Sequence, residues 1–447
     1  GECKRARIRE ATDTIKGRVV SDHAHSVDPL VGPIISMRHA RVHPDAPDTL
    51  YCRVALTGFL KDYLTWSPDV SGSGYYDSPA RAAGAAAGEA AERYSGNYID
   101  ESRLLYISES TLRKTTTHEV LSPEAYLTAN GSKVGIAKYD RSKTIGWVEG
   151  RTIDTHMPVY AAAETVFLNY TRWSGKKALH PVVLAGIAAG PSTKFAENSA
   201  INEIYERDAS MRWWYGGISG LRILDPSTRV RQHVEPASGH TRWQVQYYCL
   251  SRPEVSKYVT ACSVENSQEG IFTLGFACRD NLDDSLIKAG AEAWQLAKLT
   301  TEIINGESDV WRDINSGALP MAVAEFREDR RYKHVLDQHP IIQLGLHLQY
   351  FIDPDAIQVA KKRIEEICED ANAARINSML QVDVDAENAI KYSFNLSTND
   401  FADIGYHVVR VLCPGLVGNT PAGLVPWNHK RMIKGCTNRS DVPMPHA

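Results

Sequence analysis

Two short stretches, GEAAER (residues 88–93) and NEIYER (residues 202–207), decide how this sequence is interpreted. Each stretch places two glutamates three residues apart and an arginine directly after the second glutamate. Side chains three or four residues apart lie on one face of an α-helix. The sequence therefore predicts two pairs of carboxylates on helix faces, Glu89 with Glu92 and Glu203 with Glu206.

A lone E-x-x-E-R pattern is most often a solvated helix face, because the arginine also lies four residues after the first glutamate. Such an ion pair contributes only ~0.3–0.5 kcal/mol. Three features favour a buried site here: the pattern recurs, each copy follows a glycine-containing stretch, and its neighbours are mostly alanines. Adjacent buried carboxylates repel each other, so they need a cation to stay ionised. A hard divalent metal ion is the natural partner.

The choice of metal follows from the ligand types. No histidine stands at the Glu-x-x-His spacing of di-iron helical bundles. Ligation by oxygen alone indicates Mg²⁺, which proteins usually hold together with nucleotide phosphates. Arg93 and Arg207 would add positive charge against those phosphates. Because the sequence has neither a P-loop nor the kinase motifs, the residues predict a carboxylate–Mg²⁺–nucleotide site of an unusual type.

The chain reads as one large α+β unit with mixed or antiparallel sheets, because helical and strand patterns alternate without a Pro/Ser-rich linker. Residues 1–30 are predicted to be a lead-in, and residues 31–447 a single catalytic domain with a tail over 417–447. The patterns predict helices at 80–94, 193–213, 280–305 and 354–374. They predict strands within 30–66, 144–150, 158–170, 228–278 and 407–416, and loops at 71–79 and 184–190.

Composition narrows the functional class. The 447 residues are 43% hydrophobic and 23% charged with a net charge of -4, which indicates a folded protein without the basic footprint of a nucleic-acid partner. No apolar run reaches the ~20 residues of a membrane span, so no membrane partner is expected. The polar start is not a secretory signal, and the eight cysteines form no C-x-x-C pair. We therefore expect a cytoplasmic protein with reduced thiols.

Four segments of the chain, taken together and in order, resemble the YcaO family. The resemblance covers residues 70–447 and implies a YcaO-type fold around an ATP and Mg²⁺ site built without a P-loop. The segments are ARAAGAAAGEAAERYSGNY (80–98), GIAAGPSTKFAENSAINEIYERDA (186–209), AGAEAWQLAK (289–298) and GYHVVRVLCPGL (405–416).

The resemblance also implies roles for individual residues. The acids on the metal and the phosphates would be Glu89, Glu92, Glu203 and Glu206. Arg93 and Arg207 would support the phosphates or pair with the acids, and Lys288 and Glu292 would line the nucleotide site. Glu89, Glu206 and Arg207 are the residues that we expect at the catalytic centre.

The implied activity is the ATP-dependent activation of a peptide-backbone amide. Family members phosphorylate the amide oxygen after a nucleophile has added to the amide carbon. Our first expectation is a cyclodehydratase that converts Cys, Ser or Thr of a ribosomally made precursor peptide into a thiazoline or oxazoline. Amidine and thioamide formation by the same chemistry are the alternatives.

Several positions depart from the family pattern. Ala85 stands where serine is usual, Gly72-Ser73-Gly74 lacks a lysine, Leu184-Ala185-Gly186 replaces Ser-Asn-Gly, and Lys288 replaces arginine. These departures leave open a second class, a nucleotide-binding or regulatory subunit without turnover. The intact glutamate pairs favour an enzyme, because buried charges without a purpose are costly to retain.

The tail and the partners stay open at this stage. Pro443-Met444-Pro445 is a shortened form of the P-x-P-x-P ending of azoline-forming members, and a tail in the site and a frayed terminus are both compatible with it. His446, His347 and His407 are candidate bases, although a structural or surface role is favoured for each. A separate leader-peptide-binding protein is an expected partner, and a homodimer is compatible with the sequence.

Overall fold

The computed structural model describes most of the chain. It covers residue 27 and residues 32–58, 72–126, 136–180, 185–237, 242–317 and 321–446. The predicted lead-in over 1–30 lies outside the described residues, except for Val27, which forms an isolated bridge to Ile34. The part of the strand prediction that falls on 59–66 also lies outside them.

The strands form three sheets, which confirms the predicted α+β class. A three-stranded antiparallel sheet has the order β1-β2-β3. A seven-stranded sheet has the order β5-β7-β6-β14-β15-β8 with β4 beside β6, and a five-stranded sheet has the order β12-β11-β10-β9-β13. The strands are β1 Ile34–Ala40, β2 Tyr51–Thr57, β3 Gly72–Tyr76, β4 Leu105–Ser108, β5 Glu119–Leu121, β6 Thr144–Thr152, β7 Pro158–Ala162, β8 Ile187–Gly190, β9 Gly220–Ile223, β10 Gln244–Ser251, β11 Tyr258–Asn266, β12 Ile271–Arg279, β13 Cys368–Ala371, β14 Tyr392–Asn395 and β15 His407–Leu412.

Three long helices, α1, α5 and α7, pack on these sheets and confirm the predicted helices at 80–94, 193–213 and 280–305. The helices of the described residues are α1 Pro79–Asn97, α2 Glu109–Thr115, α3 Ala163–Val166, α4 Tyr170–Ser174, α5 Thr193–Trp214, α6 Thr228–Val234, α7 Leu282–Ile304, α8 Asp309–Ser316, α9 Tyr332–Leu336, α10 Gly345–Phe351, α11 Pro354–Ile367, α12 Ile376–Met379, α13 Val384–Glu387, α14 Asn399–Asp403 and α15 Lys430–Ile433. None of the helices in these ranges is long and apolar enough to cross a membrane.

Each long helix begins at a side-chain cap and follows directly on a strand. The capping oxygens accept a hydrogen bond from a backbone N–H in the first turn, which satisfies a donor that the helix itself cannot. The caps are Ser78 for α1, Ser192 for α5 and Asn281 for α7. In all three helices a glutamate stands eleven residues after the cap, at Glu89, Glu203 and Glu292.

Two glycines let strands lie directly on the helices that follow them. A Cβ on Gly72 would lie 2.1 Å from the Ala86 carbonyl oxygen, and a Cβ on Gly275 would lie 2.1 Å from the Ala289 carbonyl oxygen. Only a residue without a side chain permits this approach. The prediction of a loop at 71–79 is therefore wrong for Gly72–Tyr76, because the glycines there serve close packing of a strand.

Other boundaries also differ from the sequence pattern. The stretch 184–190, predicted as a loop, contains β8, whose small residues lie against α5. The helix predicted over 354–374 ends at Ile367, because Cys368–Ala371 pairs in parallel with β9. The strand predicted at 158–170 ends at Ala162, and α6 precedes the three-stranded meander predicted within 228–278. In each case a partner distant in sequence decides the local structure.

The core around α5 is aromatic. Trp213, Trp214 and Tyr215 are buried and belong to the largest hydrophobic cluster, together with the inner faces of β10, β11 and β12. The seven cysteines within the described ranges are free thiols. The helix that carries NEIYER therefore runs through the centre of the molecule.

Candidate functional site

The long helices bring the predicted acids into one region. Glu203 interacts electrostatically with Glu92 of α1 and with Glu206 of its own helix. Glu206 in turn interacts with Glu292 of α7. Five glutamates from three helices thus form one acidic site, which consists of Glu89, Glu92, Glu203, Glu206 and Glu292.

Four of these carboxylates are oriented by backbone N–H groups of neighbouring strands or their approaches. The donor-to-oxygen distances are 2.8 Å from Ser73 to Glu89, 3.0 Å from Ala189 to Glu92, 2.8 Å from Gly186 to Glu203 and 2.8 Å from Phe276 to Glu292. Each of these contacts fixes the orientation of its carboxylate. The anchoring donors lie partly in the stretches that the sequence pattern had assigned to loops.

The fifth acid, Glu206, is buried with a different set of neighbours. Burial raises its pKa to about 7, and repulsion from Glu292 and Glu203 acts in the same direction while Arg207 opposes it. Burial and the charge of Glu203 also raise the pKa of Glu92 well above its usual range. A bound cation would favour the ionised form of both carboxyls.

Glu292 behaves in the opposite way. Burial acts against its charged form, but His446, Arg207 and Lys288 lower its pKa below the ordinary value. Burial lowers the pKa of His446 itself to about 4, so the imidazole is neutral at physiological pH. Arg207 and Lys288 are therefore the charges that keep Glu292 ionised.

The two arginines of the motifs occupy unlike positions. Arg93 lies 3.5 Å from Glu89 in the pair that the four-residue spacing predicts. Arg207 lies 3.4 Å from Glu206, the residue next to it, instead of pairing with Glu203. The guanidinium of Arg207 therefore points along the inner wall of the site.

The tail reaches this site. The backbone of Leu274 in β12 donates to the Pro445 carbonyl at 2.8 Å, and His446 is buried. His446 Nδ1 lies 3.0 Å from the Leu274 carbonyl and Nε2 lies 2.7 Å from Arg207 Nη1. Because a carbonyl only accepts and a guanidinium only donates, Nδ1 carries the proton and Nε2 accepts from Arg207.

The other two candidate histidines lie elsewhere. His347 is buried in α10, where its Nε2 accepts a hydrogen bond from the backbone of Ala422 at 3.1 Å. Burial lowers its pKa to about 4. His407 begins β15. Both positions agree with the structural or surface role favoured from the sequence.

A cationic cluster surrounds Tyr76, and of its members sequence reasoning found only Lys288. Arg279 Nη2 donates to the Tyr76 hydroxyl at 3.2 Å, and Lys288 Nζ lies 4.7 Å from its ring centroid. Arg81 lies 4.3 Å from the same centroid. Burial alone would raise the Tyr76 pKa, but these cations lower it to about 8. Arg279 also interacts with Glu206, so the cluster borders the acidic site.

A sequence signal for this cluster existed. Tyr76 stands two residues before the cap Ser78, and Arg279 stands two residues before the cap Asn281. The preceding glycines, Gly72 and Gly275, lie at equal distances from those caps. Aligning the two strand–helix units would have placed Tyr76 and Arg279 at matching strand ends.

The donor set fits Mg²⁺ if further oxygens complete the coordination. Within the described ranges, no three His, Cys, Asp or Glu side chains converge closely enough to enclose a metal ion by themselves. Mg²⁺ usually takes one or two carboxylates and completes its shell with water and phosphate oxygens. Burial and repulsion between the acids raise the pKa values of Glu92 and Glu206, and the charge of such an ion would oppose both effects.

A comparison with protein-family models decides the family. The model described as a YcaO cyclodehydratase that binds ATP and Mg²⁺ matches residues 73–417. The chain belongs to the YcaO family. The match includes all eight predicted site residues, and the family description confirms the predicted cofactors, ATP and Mg²⁺, and the YcaO-type enzyme class.

Solved structures share this fold at low sequence identity. YcaO from Methanopyrus kandleri bound with AMPPCP and Mg²⁺ has 16% identity and a TM-score of 0.56, over 92% of this chain and 94% of that one. A heterocyclase in complex with substrate and cofactor has 16% identity and a TM-score of 0.62, over 96% of this chain and 57% of that one. The E. coli microcin synthetase McbBCD complex with pro-MccB17 bound has 11% identity and a TM-score of 0.58, over 94% and 98%. No curated protein sequence matches.

Proposed function

We propose that this YcaO enzyme uses ATP and Mg²⁺ to activate backbone amides of a precursor peptide, and that it cyclodehydrates Cys, Ser or Thr to thiazoline or oxazoline. The observation that carries the proposal is the convergence of both glutamate pairs and Glu292 on one acidic site bordered by cations. Amidine and thioamide formation are the alternative outcomes of the same chemistry.

The proposed residue roles follow the geometry. Glu89, Glu92, Glu203 and Glu206 would supply the carboxylates for Mg²⁺, with one or two of them on an ion and phosphate and water oxygens completing its shell. The bound ion would neutralise charge on the phosphoryl groups. Lys288, Arg93 and Arg207 would contact phosphates, and Glu292 would keep Arg207 and Lys288 in place. Ser73 and its counterparts on the other strands hold the carboxylates in position, so that little reorganisation is needed on binding.

The proposed reaction balances as a dehydration. The side-chain thiol or hydroxyl of the peptide adds to the neighbouring amide carbon, and the former carbonyl oxygen accepts the γ-phosphoryl group of ATP. Phosphate then leaves with that oxygen as the ring C=N bond forms. The products are azoline, ADP and phosphate, so the peptide loses the mass of one water molecule.

The departures from the family pattern do not remove the acid framework. Ser73, in the stretch that lacks the lysine, provides the N–H that holds Glu89. Gly186, the glycine that is retained from Ser-Asn-Gly, provides the N–H that holds Glu203. These contacts support turnover over a purely regulatory nucleotide-binding subunit.

The wider proposals concern assembly. We propose one catalytic domain over residues 31–447, a precursor peptide as substrate, and a separate protein that presents the leader. A homodimer and a cytoplasmic location belong to the same proposal.

The test uses the purified chain with Mg²⁺, ATP and candidate precursor peptides. The expected result is peptide-dependent release of ADP and phosphate, together with loss of one water from a Cys-, Ser- or Thr-containing peptide by mass spectrometry. The regulatory alternative would be supported if the chain binds ATP but does not turn over a precursor peptide that is processed in cells containing the protein. Replacement of an oxygen by a sulfur would indicate a thioamide. An amidine also forms with loss of one water, so fragmentation of the product distinguishes it from an azoline by locating the loss at an amine or at a Cys, Ser or Thr side chain.

A further inference from the structure

Two adjoining cavities form a groove that begins at Arg207. The first cavity, of about 500 Å³, is lined by Arg207 and Ile204 of α5, and the second is about 750 Å³. Both volumes lie in the range of ligand sites. The cavities share four lining residues, Ala125, Pro414, Gly415 and Lys430. Together they form one surface, which we call the 207–390 groove.

The inner end of the 207–390 groove is bounded by a residue that also contacts the acidic site. Arg207 lines the first cavity and lies 3.4 Å from Glu206 and 2.7 Å from His446. A chain segment seated in the groove would meet the proposed catalytic centre at this arginine.

The outer end of the 207–390 groove is apolar and open to solvent. Val384 and Ile390 line the second cavity, and each is 58% exposed. Exposed aliphatic side chains that line a cavity indicate a binding surface more strongly than scattered ones do. The groove therefore offers apolar contacts away from the reacting end.

One lining cation has no carboxylate partner. Lys430 is exposed at the junction of the two cavities and forms no ion pair within the described part of the chain. The other charged groups of the groove are compensated: Glu124 by Arg141, Asp385 by Lys434, Arg431 by Asp208 and Asp383, and Arg207 by Glu206. A lone cation between apolar surfaces favours a ligand with a carboxylate at that point.

The groove wall is tied to the catalytic helix. Asp208, the residue after Arg207, accepts a hydrogen bond from the Val417 backbone at 2.9 Å. Arg431 binds both oxygens of the same carboxylate at 2.9 and 2.7 Å. Because these groups are buried and paired, the wall is fixed relative to Arg207 before any ligand binds, which lowers the cost of binding.

We propose that the 207–390 groove binds the precursor peptide as an extended segment that carries an acidic side chain opposite Lys430. An apolar side chain of the peptide packs on Val384 and Ile390, and the reacting amide lies at Arg207. The proposal rests on the proposed function and deepens it, because it names an acidic, partly apolar peptide as the substrate class.

A charge-swap selection tests the groove. A displayed peptide library with one fixed cysteine between randomised flanks is selected on the wild-type chain, on Lys430→Glu and on Lys362→Glu. Lys362 is a matched control, because its side chain is 78% exposed on α11. We expect the wild-type chain and Lys362→Glu to enrich Asp or Glu at a fixed offset from the cysteine by about tenfold, and Lys430→Glu to enrich Lys or Arg there.

A second variant fills the groove without touching a charge. A Cβ on Gly418, which lines the first cavity, would have no atom within 4 Å, so Gly418→Phe projects its ring into open space. We expect this variant to unfold as cooperatively as the wild type and to lose peptide enrichment at least tenfold. Unchanged enrichment in a folded Gly418→Phe overturns the groove.

The outcomes separate this proposal from the proposed function. If the wild type and Lys430→Glu enrich the same peptides, or if neither enriches any, the groove proposal is wrong. Mg²⁺–ATP titrations test the catalytic site independently of that result. Absence of Mg²⁺–ATP binding in the wild type overturns the proposed function, whereas a charge swap in the peptide selection would still support the groove.

Discussion

The two helices that carry the same motif place it in opposite environments. On α1, the side chains of Glu89 and Arg93 are 32% and 38% exposed. On α5, those of Glu206 and Arg207 are 10% and 13% exposed. Glu89 and Arg93 thus lie at the rim of the acidic site, and Glu206 and Arg207 lie at its floor.

The surroundings of the helices explain the difference. Helix α1 is rich in alanine and packs mainly on one sheet through its glycine strand. Helix α5 packs between β8, β12 and β15. It carries the buried side chains of Tyr205 and Trp213. Burial makes the charged groups at the floor, Glu206 and Arg207, more costly in free energy than those at the rim. Activity that depends on a bound cation should therefore depend most on Glu206.

The largest expected effect therefore comes from Glu206→Gln. The amide cannot bind Mg²⁺ as a carboxylate does, so peptide-dependent phosphate release should fall by about 100-fold or more. Phosphate release and Mg²⁺–ATP titration measure the effect. The exposed Glu307→Gln is the control, and wild-type Mg²⁺–ATP affinity in Glu206→Gln would contradict the assignment of the floor.

A smaller effect is expected from Glu89→Gln at the rim. The amide oxygen can still accept the hydrogen bond from Ser73, and water already screens this position, so the loss should be about tenfold. The same two assays apply. If Glu89→Gln is as damaging as Glu206→Gln, the distinction between rim and floor is wrong.

The pH dependence sharpens the comparison. The folded-state pKa of Glu206 is raised to about 7 from an ordinary value near 4.5, so the folded chain holds a proton that the unfolded chain has lost. Stability of the ligand-free protein should fall as pH rises through this window. Mg²⁺ needs the ionised form, so Mg²⁺–ATP affinity should rise towards pH 7.5, by up to about tenfold per pH unit.

Calorimetric titrations from pH 5.5 to 7.5 measure this slope. Glu206→Gln should flatten it, and Glu89→Gln should leave it in place. A slope that persists unchanged in Glu206→Gln would assign the titrating proton to another group, with Glu92 as the next candidate because its pKa is also raised.

The smallest expected effect comes from His446→Ala. His446 contacts Arg207, so the change should act at the floor of the site. Loss of the acceptor for Arg207 should reduce turnover by about three- to tenfold and stability by about 1 kcal/mol. His446→Gln should restore part of the turnover if the histidine positions Arg207, and thermal unfolding checks that the loss is not structural.

Spacing alone allowed the sequence to predict the acid framework, because periodicity on a helix is a local property. Gly72–Tyr76 and Ile187–Gly190 were missed as strands, since glycine and alanine resemble loop composition until a helix is seen to pack on them. Rim and floor could not be told apart either, because both stretches show the same E-x-x-E-R pattern and the exposure of each side chain depends on residues distant in sequence. Tyr76 and Arg279 could be found only by aligning two strand–helix units, β3 with α1 and β12 with α7. A search for motifs does not make that alignment.

Because the interval between cap and glutamate is constant, each long helix places its carboxylate at the same distance from its N-terminus. Eleven residues span three turns, about 16 Å, and return the side chain to nearly the angular position at which the helix began. Substitutions between Ser78 and Glu89 leave that measure intact, whereas one inserted residue would turn the carboxylate by about 100° and shift it along the axis. Among natural relatives, these three segments should therefore accumulate substitutions but almost never insertions or deletions.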